Sequence, residues 1–312
     1  MTGEALLNNN SEKQQERCGF VALLGAPNAG KSTFLNKAVG ARVSIVTPKA
    51  QTTRMRARGI VNEGRTQIVF CDTPGLFKPK RKLDEAMVGA AWDGLKDADL
   101  ALLVVDATRA KKDDIKNISI ESGAKAQKSK IPLWLVLNKI DDIKRELLLP
   151  LAEEVMQQSQ ASEVFMVSAL TGDGVRDLMC KLADILPVGP FMFPEDMLTD
   201  MPERTWVSEL IREQVFFQTH DELPYDSTVE IQSFKNRPDG SVRIDANIYV
   251  MRSAQKAIVI GERGKRIREI GKKARSAIEY SLGQTCHLFL QVKEKPKWDQ
   301  DIRRLKEIRP TF

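Results

Sequence analysis

VALLGAPNAGKSTFLN, running from Val21 to Asn36, is the stretch around which the rest of this chain is organised. Four apolar residues lead into Gly25, and Gly25-Ala26-Pro27-Asn28-Ala29-Gly30-Lys31-Ser32 fits the pattern G-x-x-x-x-G-K-[ST]. Read mechanically, a strand ends at Gly25 and the loop wraps an oxyanion with its backbone N–H groups. Lys31 then opens a helix whose positive end faces the phosphates. In that arrangement Lys31 reaches β- and γ-phosphate oxygens and the Ser32 hydroxyl ligates Mg²⁺. The competing reading is an ordinary glycine-rich turn; the strand before it and the helix after it favour phosphate binding.

At 312 residues the chain is long for one domain, and two are expected. Apolar and charged fractions of 42% and 29% are those of a globular protein in water. No apolar run approaches the roughly 20 residues of a membrane-spanning helix. Residues 1–17 are polar, lack the apolar centre of a secretory signal and read as a disordered tail. The four cysteines form no CxxC pair and there are only two histidines, which argues against zinc and for a reducing cytoplasm. Charge is unevenly spread. Residues 191–230 carry 2 basic and 10 acidic side chains, whereas residues 231–312 carry 19 basic and 9 acidic. The C-terminal part is thus a candidate surface for a polyanion, nucleic acid or anionic lipid.

Five continuous apolar runs follow one another with helical stretches between them: Phe20–Leu24, Gln67–Cys71, Leu100–Val105, Leu133–Leu137 and Val164–Val167. Continuous runs read as strands covered on both faces, and the alternation predicts an α/β fold with a mostly parallel sheet and ligands at the carboxyl ends of its strands. Arg56–Val61 and Gln67–Cys71, joined by residues 62–65, read as an antiparallel edge hairpin. Polar clusters sit where the rule places chemistry. One strand ends in Asp72-Thr73-Pro74-Gly75, where the Asp can hold Mg²⁺ through water and the Gly amide can reach a γ-phosphate. Another ends in Asn138-Lys139-Ile140-Asp141, a third in Ser168-Ala169-Leu170.

With GAPNAGKS, DTPG, NKID and SAL in this order, residues 19–186 resemble the Ras-like GTPases. The resemblance implies that Asp141 accepts hydrogen bonds from guanine N1–H and the 2-amino group. Asn138 and Lys139 would brace the base pocket, and the backbone at Ser168–Ala169 would approach O6. Adenine lacks both donors, so a buried Asp141 would be left unpaired against ATP; a nucleotide kinase has no need of NKxD. The implied GTP-binding set runs from Gly25 through Thr33, from Asp72 through Leu76, and includes Asn138, Lys139, Asp141, Ser168, Ala169 and Leu170. Lys31, Thr53, Asp72 and Gly75 would serve hydrolysis. Switch I is placed at Gln51, Thr52, Thr53, Arg54 and Met55, where a threonine completes the Mg²⁺ shell of Ser32 and Asp72. Thr53 is the better candidate by resemblance, with Thr52 the alternative. Leu76 stands where Ras carries the glutamine that orients water, and leucine cannot hydrogen-bond water, so slow intrinsic hydrolysis is expected. Asn28 resembles the potassium-ligating asparagine of related GTPases; a loop-stabilising role is the alternative.

The stretch 187–202, with Pro187, Pro190 and Pro194, reads as a linker between a domain at 18–186 and one at 203–312. Beyond it come a helix at Trp206–Gln218, a hairpin of Thr228–Phe234 and Val242–Val250, a long helix Lys265–Leu282, a strand His287–Val292 and a charged helix Asp299–Ile308. Gly261-Glu262-Arg263-Gly264 precedes the long helix, and residues 256–276 carry eight basic against two acidic side chains. Glycine allows close approach to nucleic-acid phosphate while Arg263, Lys265 and Arg266 add charge. The pattern resembles a type II KH domain, and that resemblance makes Ala257–Ile260 a short helix although its β-propensity equally fits a strand. A Ras-like domain followed by a KH domain resembles the Era family, with AQTTRMR and VGPFMFPEDMLTD among the matching segments; family members more often carry Arg at Ala26 and Val at Ala29. The family implies a GTPase that binds the 3′ region of small-subunit ribosomal RNA and acts in small-subunit assembly; a monomer is expected. It also implies a cytoplasmic location with some association at the inner face of the membrane. The rival expectation is a membrane-surface signalling GTPase whose basic C-terminal domain meets anionic lipid.

Overall fold

The computed structural model describes residues 15–49, 51–55, 57–220, 223–309 and 311. Residues 1–14 of the expected tail lie outside the described residues, as does Arg56 at the start of the expected hairpin.

The first unit alternates strand and helix: β1 (Arg17–Leu24), α1 (Lys31–Val39), β2 (Ala57–Glu63), β3 (Thr66–Asp72), α2 (Lys82–Lys96), β4 (Leu100–Asp106), α3 (Asp113–Ser129), β5 (Leu133–Asn138), α4 (Leu148–Ser159), β6 (Glu163–Val167) and α5 (Val175–Ile185). The sheet order is β2-β3-β1-β4-β5-β6, parallel throughout except for β2. Successive strand residues point to opposite faces. Val21 and Leu23 join Phe34, Leu35, Leu178 and Leu182 of α1 and α5, while Ala22 and Leu24 join Leu95, Ile115, Leu151 and Val155 of α2, α3 and α4. Each fully buried leucine or phenylalanine contributes about 1.5–3 kcal/mol to this three-layer packing.

Two sequence expectations for the first unit need adjusting. The hairpin loop is shorter than 62–65: Asn62 pairs with Gln67 and Glu63 with Thr66, leaving Gly64-Arg65 as a two-residue turn with Gly64 at φ 60°. The tail also ends earlier than residue 17, because Arg17 already pairs with Thr66 and its N–H donates to Arg65 O at 3.0 Å. Polar residues extended both strands because ladder bonds are made by backbone, whatever the side chain.

The stretch 187–202 lies along this sheet. The Gln67 side chain, fully buried, accepts from Met192 N and Phe193 N and donates to Phe193 O, and Ile60 N donates to Leu198 O at 2.9 Å. The second unit follows as α6 (Glu203–Gln218), β7 (Ser227–Asn236), β8 (Val242–Val250), α7 (Ser253–Ile260), α8 (Lys265–Leu282), β9 (Cys286–Glu294) and α9 (Ile302–Ile308). Its sheet is ordered β7-β8-β9, the first pair antiparallel and the second parallel. Ala257–Ile260 belongs to a helix. α6 begins three residues before the predicted start, and α9 begins at Ile302 rather than Asp299 because Trp298–Gln300 forms a 3₁₀ turn and the Asp301 side chain caps the helix through Arg303 N.

The two units share packing. Ile45, from the loop after α1, is buried in the core of the second unit, and Leu83, Ala86, Met87 and Ala90 of α2 pack on Trp298, Leu305 and Ile308. Among the described residues no helix is long and apolar enough to cross a membrane.

Candidate nucleotide site and nucleic-acid loop

All strand ends that carry the predicted motifs face one edge of the first sheet. Gly25 has φ 140° and a Cβ there would sit 2.2 Å from Val104 O; Gly30 has φ 94° and a Cβ would meet Asn138 Nδ2 at 2.2 Å. Both positions therefore require glycine, and between them the loop turns back on itself to open α1. Lys31 is buried, its ammonium donating to Gly25 O and Ala26 O at 3.0 Å each, which folds it over the loop. Burial lowers its pKa to about 8, with the nearby Asp72 carboxylate pulling the other way.

Asp72, at the end of β3, is the meeting point of three segments. Its Oδ2 accepts from Ser32 Oγ at 3.0 Å, from Ser44 Oγ at 2.9 Å and from Thr53 Oγ1 at 3.1 Å, and Ser32 Oγ lies 3.0 Å from Thr53 Oγ1. Its Oδ1 is buried with no hydrogen-bond partner, a costly state for a carboxylate oxygen. Burial raises the Asp72 pKa, partly offset by Lys31 and the three hydroxyls. A cluster of hydroxyl and carboxylate oxygens with one orphaned acceptor fits a hard divalent cation. Thr52, the alternative, lines the same cleft as Ser32 and Thr53, but its hydroxyl is engaged elsewhere: it donates to Lys49 O at 2.8 Å and lies 2.8 Å from Thr47 Oγ1. Of the other switch residues, Gln51 donates to Asp84 at 3.0 Å, Arg54 is buried against the second unit, and Met55 packs on the α2–α9 cluster.

Gly75 approaches the loop so closely that a Cβ would stand 2.8 Å from Pro27 N. Thr73 Oγ1 donates to Leu23 O at 2.6 Å, and the Leu76 N–H donates to Gly25 O at 2.9 Å with its side chain buried. Pro27, Asn28, Gly30, Lys31, Ser32, Thr33, Thr53 and Gly75 line one cleft of about 530 Å³. Asn28, at φ 63°, donates its side-chain amide to Pro48 O at 2.9 Å. A larger cleft of about 1310 Å³ lies between α2 and α3, sharing Pro27, Asn28 and Arg109 with the first; the motif residues gather in the smaller one.

Asn138 ties three loops together at the other end of this sheet edge. Its Nδ2 donates to Ala29 O at 2.8 Å and its Oδ1 accepts from Ala169 N at 2.9 Å, so one buried amide joins the glycine loop, the NKID turn and the SAL loop. Lys139, at φ 65°, pairs with Asp106 at 2.6 Å. Ser168 is buried, its hydroxyl accepting from Thr171 N, while Leu170 is exposed. Asp141 is exposed rather than buried as expected, because the chain after β5 turns outward into a 3₁₀ turn, Ile140–Asp142. Sequence reading missed Ser44 and Asp106. Asp106 closes β4 at the same sheet edge, so the strand-end rule would have nominated it; Ser44 left no signal beyond its place in the switch loop.

On the second unit, Gly261 adopts φ 72° and ψ 174°, where a Cβ would lie 2.7 Å from Arg266 Cβ. Arg263 is left-handed at φ 49°, and Glu262 and Arg263 are exposed ahead of α8, as is Lys265 at its first position. Arg266 donates back to Ile258 O at 2.5 Å, joining α7 to α8 across the turn. Ile270, Ala274 and Ile278 face the core, leaving Arg268, Lys272, Lys273 and Arg275 on the exposed side.

Comparison with known proteins agrees with both halves. A family model described as 50S ribosome-binding GTPase matches residues 20–139, and one described as KH domain matches residues 222–299. The chain is 49% identical over 298 residues to a GTPase Era of Mesorhizobium japonicum, covering 96% of this chain and 95% of that protein. It is 46% identical over 306 residues to a GTPase Era of Brucella suis, covering 98% and 97%. A crystal structure of a Tyr-to-Ala variant of Aquifex aeolicus Era bound to GDP and AlF4⁻ is 37% identical with a TM-score of 0.88, over 94% of this chain and 99% of that one. A structure of Era with MgGDPNP and nucleotides 1506–1542 of 16S ribosomal RNA is 36% identical, with the same TM-score and coverage. With a Ras-like sheet carrying a phosphate loop, a KH unit behind it and relatives matching along nearly the whole length, the chain belongs to the Era family of GTPases.

Proposed function

We propose that this GTPase uses GTP binding and hydrolysis to control a KH domain that holds the 3′ region of small-subunit ribosomal RNA, and that it acts in small ribosomal subunit assembly. The observation that carries the reading is the similarity, along nearly the whole chain, to an Era structure that binds MgGDPNP and a 16S ribosomal RNA segment together. The exposed GxxG loop and the basic face of α8 support the RNA half. In this reading the GTPase domain spans 18–186, the linker 187–202 and the RNA-binding domain 203–312, the chain working as a cytoplasmic monomer with a share at the inner membrane face. Crosslinking in cells followed by sequencing of the bound RNA tests it: reads at the 3′ end of small-subunit ribosomal RNA are expected. Crosslinks scattered without enrichment, together with binding to anionic vesicles, would transfer the basic face to the lipid reading.

Ser32, Thr53 and Asp72 would hold Mg²⁺, the orphaned Asp72 oxygen supporting this assignment. The ion supplies positive charge to the phosphates as negative charge develops. Lys31 and the loop N–H groups orient the phosphates, Gly75 leaves its backbone open toward them, and Asn138 fixes the loops that frame the guanine. Leu76 offers no hydrogen bond to water, so intrinsic turnover is slow. A potassium ion held by Asn28 would supply the charge that an arginine finger provides elsewhere. Turnover several-fold faster in potassium than in sodium at equal ionic strength, with the difference lost in Asn28→Ala, is the expected outcome. Equal rates in the two salts leave Asn28 as a brace of the Pro48 turn.

A further inference from the structure

Switch I is bonded to the KH unit on both sides of Thr53. On one side Arg212 of α6, 2% exposed, donates to Gln51 O at 3.3 Å and to Thr52 O, while Glu209 holds the rest of its guanidinium. On the other side Arg54 buries its guanidinium in the second unit, donating to Ser227 O at 2.8 Å and to Pro224 O and Tyr225 O at 3.2 Å each. The same group lies 5.8 Å from the Phe216 ring centroid and 5.3 Å from that of Trp298. Further back along the loop, Lys49 donates to Phe216 O and Thr219 O, and Glu213 accepts from Val46 N and Arg42. Between these anchors the Thr53 hydroxyl is the one that reaches Ser32 and Asp72 among the described switch residues, within 3.1 Å of both.

We infer that Arg212 and Arg54 are positioning residues for GTP hydrolysis, holding the Thr53 hydroxyl beside Ser32 and Asp72 from the RNA-binding side of the molecule. A switch loop tethered only by the γ-phosphate and its metal must lose its conformational freedom when the nucleotide arrives. Here most of that loss is already met by side chains of the other unit, which bond the backbone at residues 51 and 52 and the side chain at 54. Arg212 suits the task because its planar fork bridges two consecutive carbonyls while a carboxylate holds its far edge. Arg54 is a buried cation bonded to carbonyls, so its present place exists only while the two units are docked. The inference rests on the reading of Thr53 as a residue of the metal shell.

The test uses the full chain and four single variants: Thr53→Ala, Arg212→Met, Arg212→Lys and Lys49→Met. Single-turnover hydrolysis is measured with affinities for GDP and GDPNP across a magnesium titration, and the melting temperature is followed throughout. Thr53→Ala should slow turnover and weaken GDPNP more than GDP. Arg212→Met should reproduce that pattern, with turnover about tenfold slower and GDP affinity within about twofold of wild type. Arg212→Lys should restore part of the rate, and adding Arg212→Met to Thr53→Ala should change little further. A protein merely loosened by loss of Arg212 would instead add its deficit to that of Thr53→Ala. If Arg212→Met does not fold, Lys49→Met, whose half-exposed side chain keeps its apolar stem, decides by turnover about threefold slower. Wild-type turnover in the folded Arg212 variant, or in Lys49→Met where that one decides, overturns the positioning role while leaving Thr53 in place. Wild-type turnover in Thr53→Ala overturns the metal-shell reading, and the inference with it.

Discussion

Two glycine loops, Gly25–Gly30 and Gly261–Gly264, stand just ahead of a helix, and both are proposed to meet phosphate, but they do so in opposite environments. The first is sunk between strands: Cβ atoms at Gly25 and Gly30 would collide at 2.2 Å with groups of β4 and β5, and Lys31 is 6% exposed. The second stands in water. Gly261 is crowded only by its own turn, and a Cβ at Gly264 would meet nothing closer than 4.0 Å. A buried loop takes phosphate out of water, so each bond is strong and directional and a misplaced group is costly. An exposed loop leaves the phosphate solvated and relies on summed charge, which tolerates variation and responds to salt. The same substitution placed in each loop breaks this comparison if the two behave alike. Gly30→Ala should weaken GTP binding roughly a thousandfold, about 4 kcal/mol, because the methyl group must displace Asn138 at an unfavourable φ. Gly264→Ala should cost RNA binding about 1–2 kcal/mol, from φ alone. Comparable losses in the two assays would mean that the GxxG loop is as tightly enclosed as the phosphate loop.

The base end of the buried site gives the next largest effect. Asn138 joins three loops, and Asp141 follows it outward to the exposed rim of the proposed base pocket. Asp141→Asn should shift preference from GTP toward xanthosine triphosphate by about a hundredfold, because an amide donates where a carboxylate only accepts. Competition binding against both nucleotides measures the ratio, and an unchanged GTP preference would remove Asp141 from the base pocket.

These two loops also differ in how legible they were. Gly25, Gly30, Lys31 and Asp72 could be placed from sequence because a buried phosphate site restricts residue type at every position. The strands were legible because being covered on both faces leaves long apolar runs. Boundaries set by backbone alone were not: Arg17 and Glu63 extend their strands without an apolar side chain, and Asp301 moved the start of α9 by capping it. Asp141 was expected to be buried because specificity was argued from desolvation, whereas the chain itself leaves it at the rim. The docking of Arg54 and Arg212 had no local pattern at all. It joins residues 42–54 to residues 212–227, and no periodicity or motif spans such a separation.

On the exposed loop, changing Glu262-Arg263 to Asp-Asp between the intact glycines alters charge without altering shape, since aspartate tolerates the left-handed conformation of Arg263. RNA affinity should fall about tenfold at matched salt, with a shallower dependence on salt concentration. GTP affinity should stay within about twofold, because the substitution lies on the other unit. Unchanged RNA binding across the salt series would move the contact to another part of the basic face.

The smallest effect sharpens the contrast through pH. Burial lowers the Lys31 ammonium to about 8, with Asp72 pulling the other way, so in the nucleotide-free protein its charge is present below that pH and lost as pH rises through it. Phosphate favours the charged form, so nucleotide binding above pH 8 should take up a proton and weaken as pH increases. From pH 7 to pH 8.5 the charged fraction falls about fourfold, and GTP affinity should follow it. Calorimetry at pH 8.5 in two buffers of different ionisation enthalpy counts the proton directly. RNA binding serves as the internal control, because arginine stays charged through this window and the exposed loop should show no matching decline. A GTP affinity flat between pH 7 and 8.5 would mean that Lys31 keeps its charge despite its burial, and that the two loops are electrostatically more alike than their exposure implies.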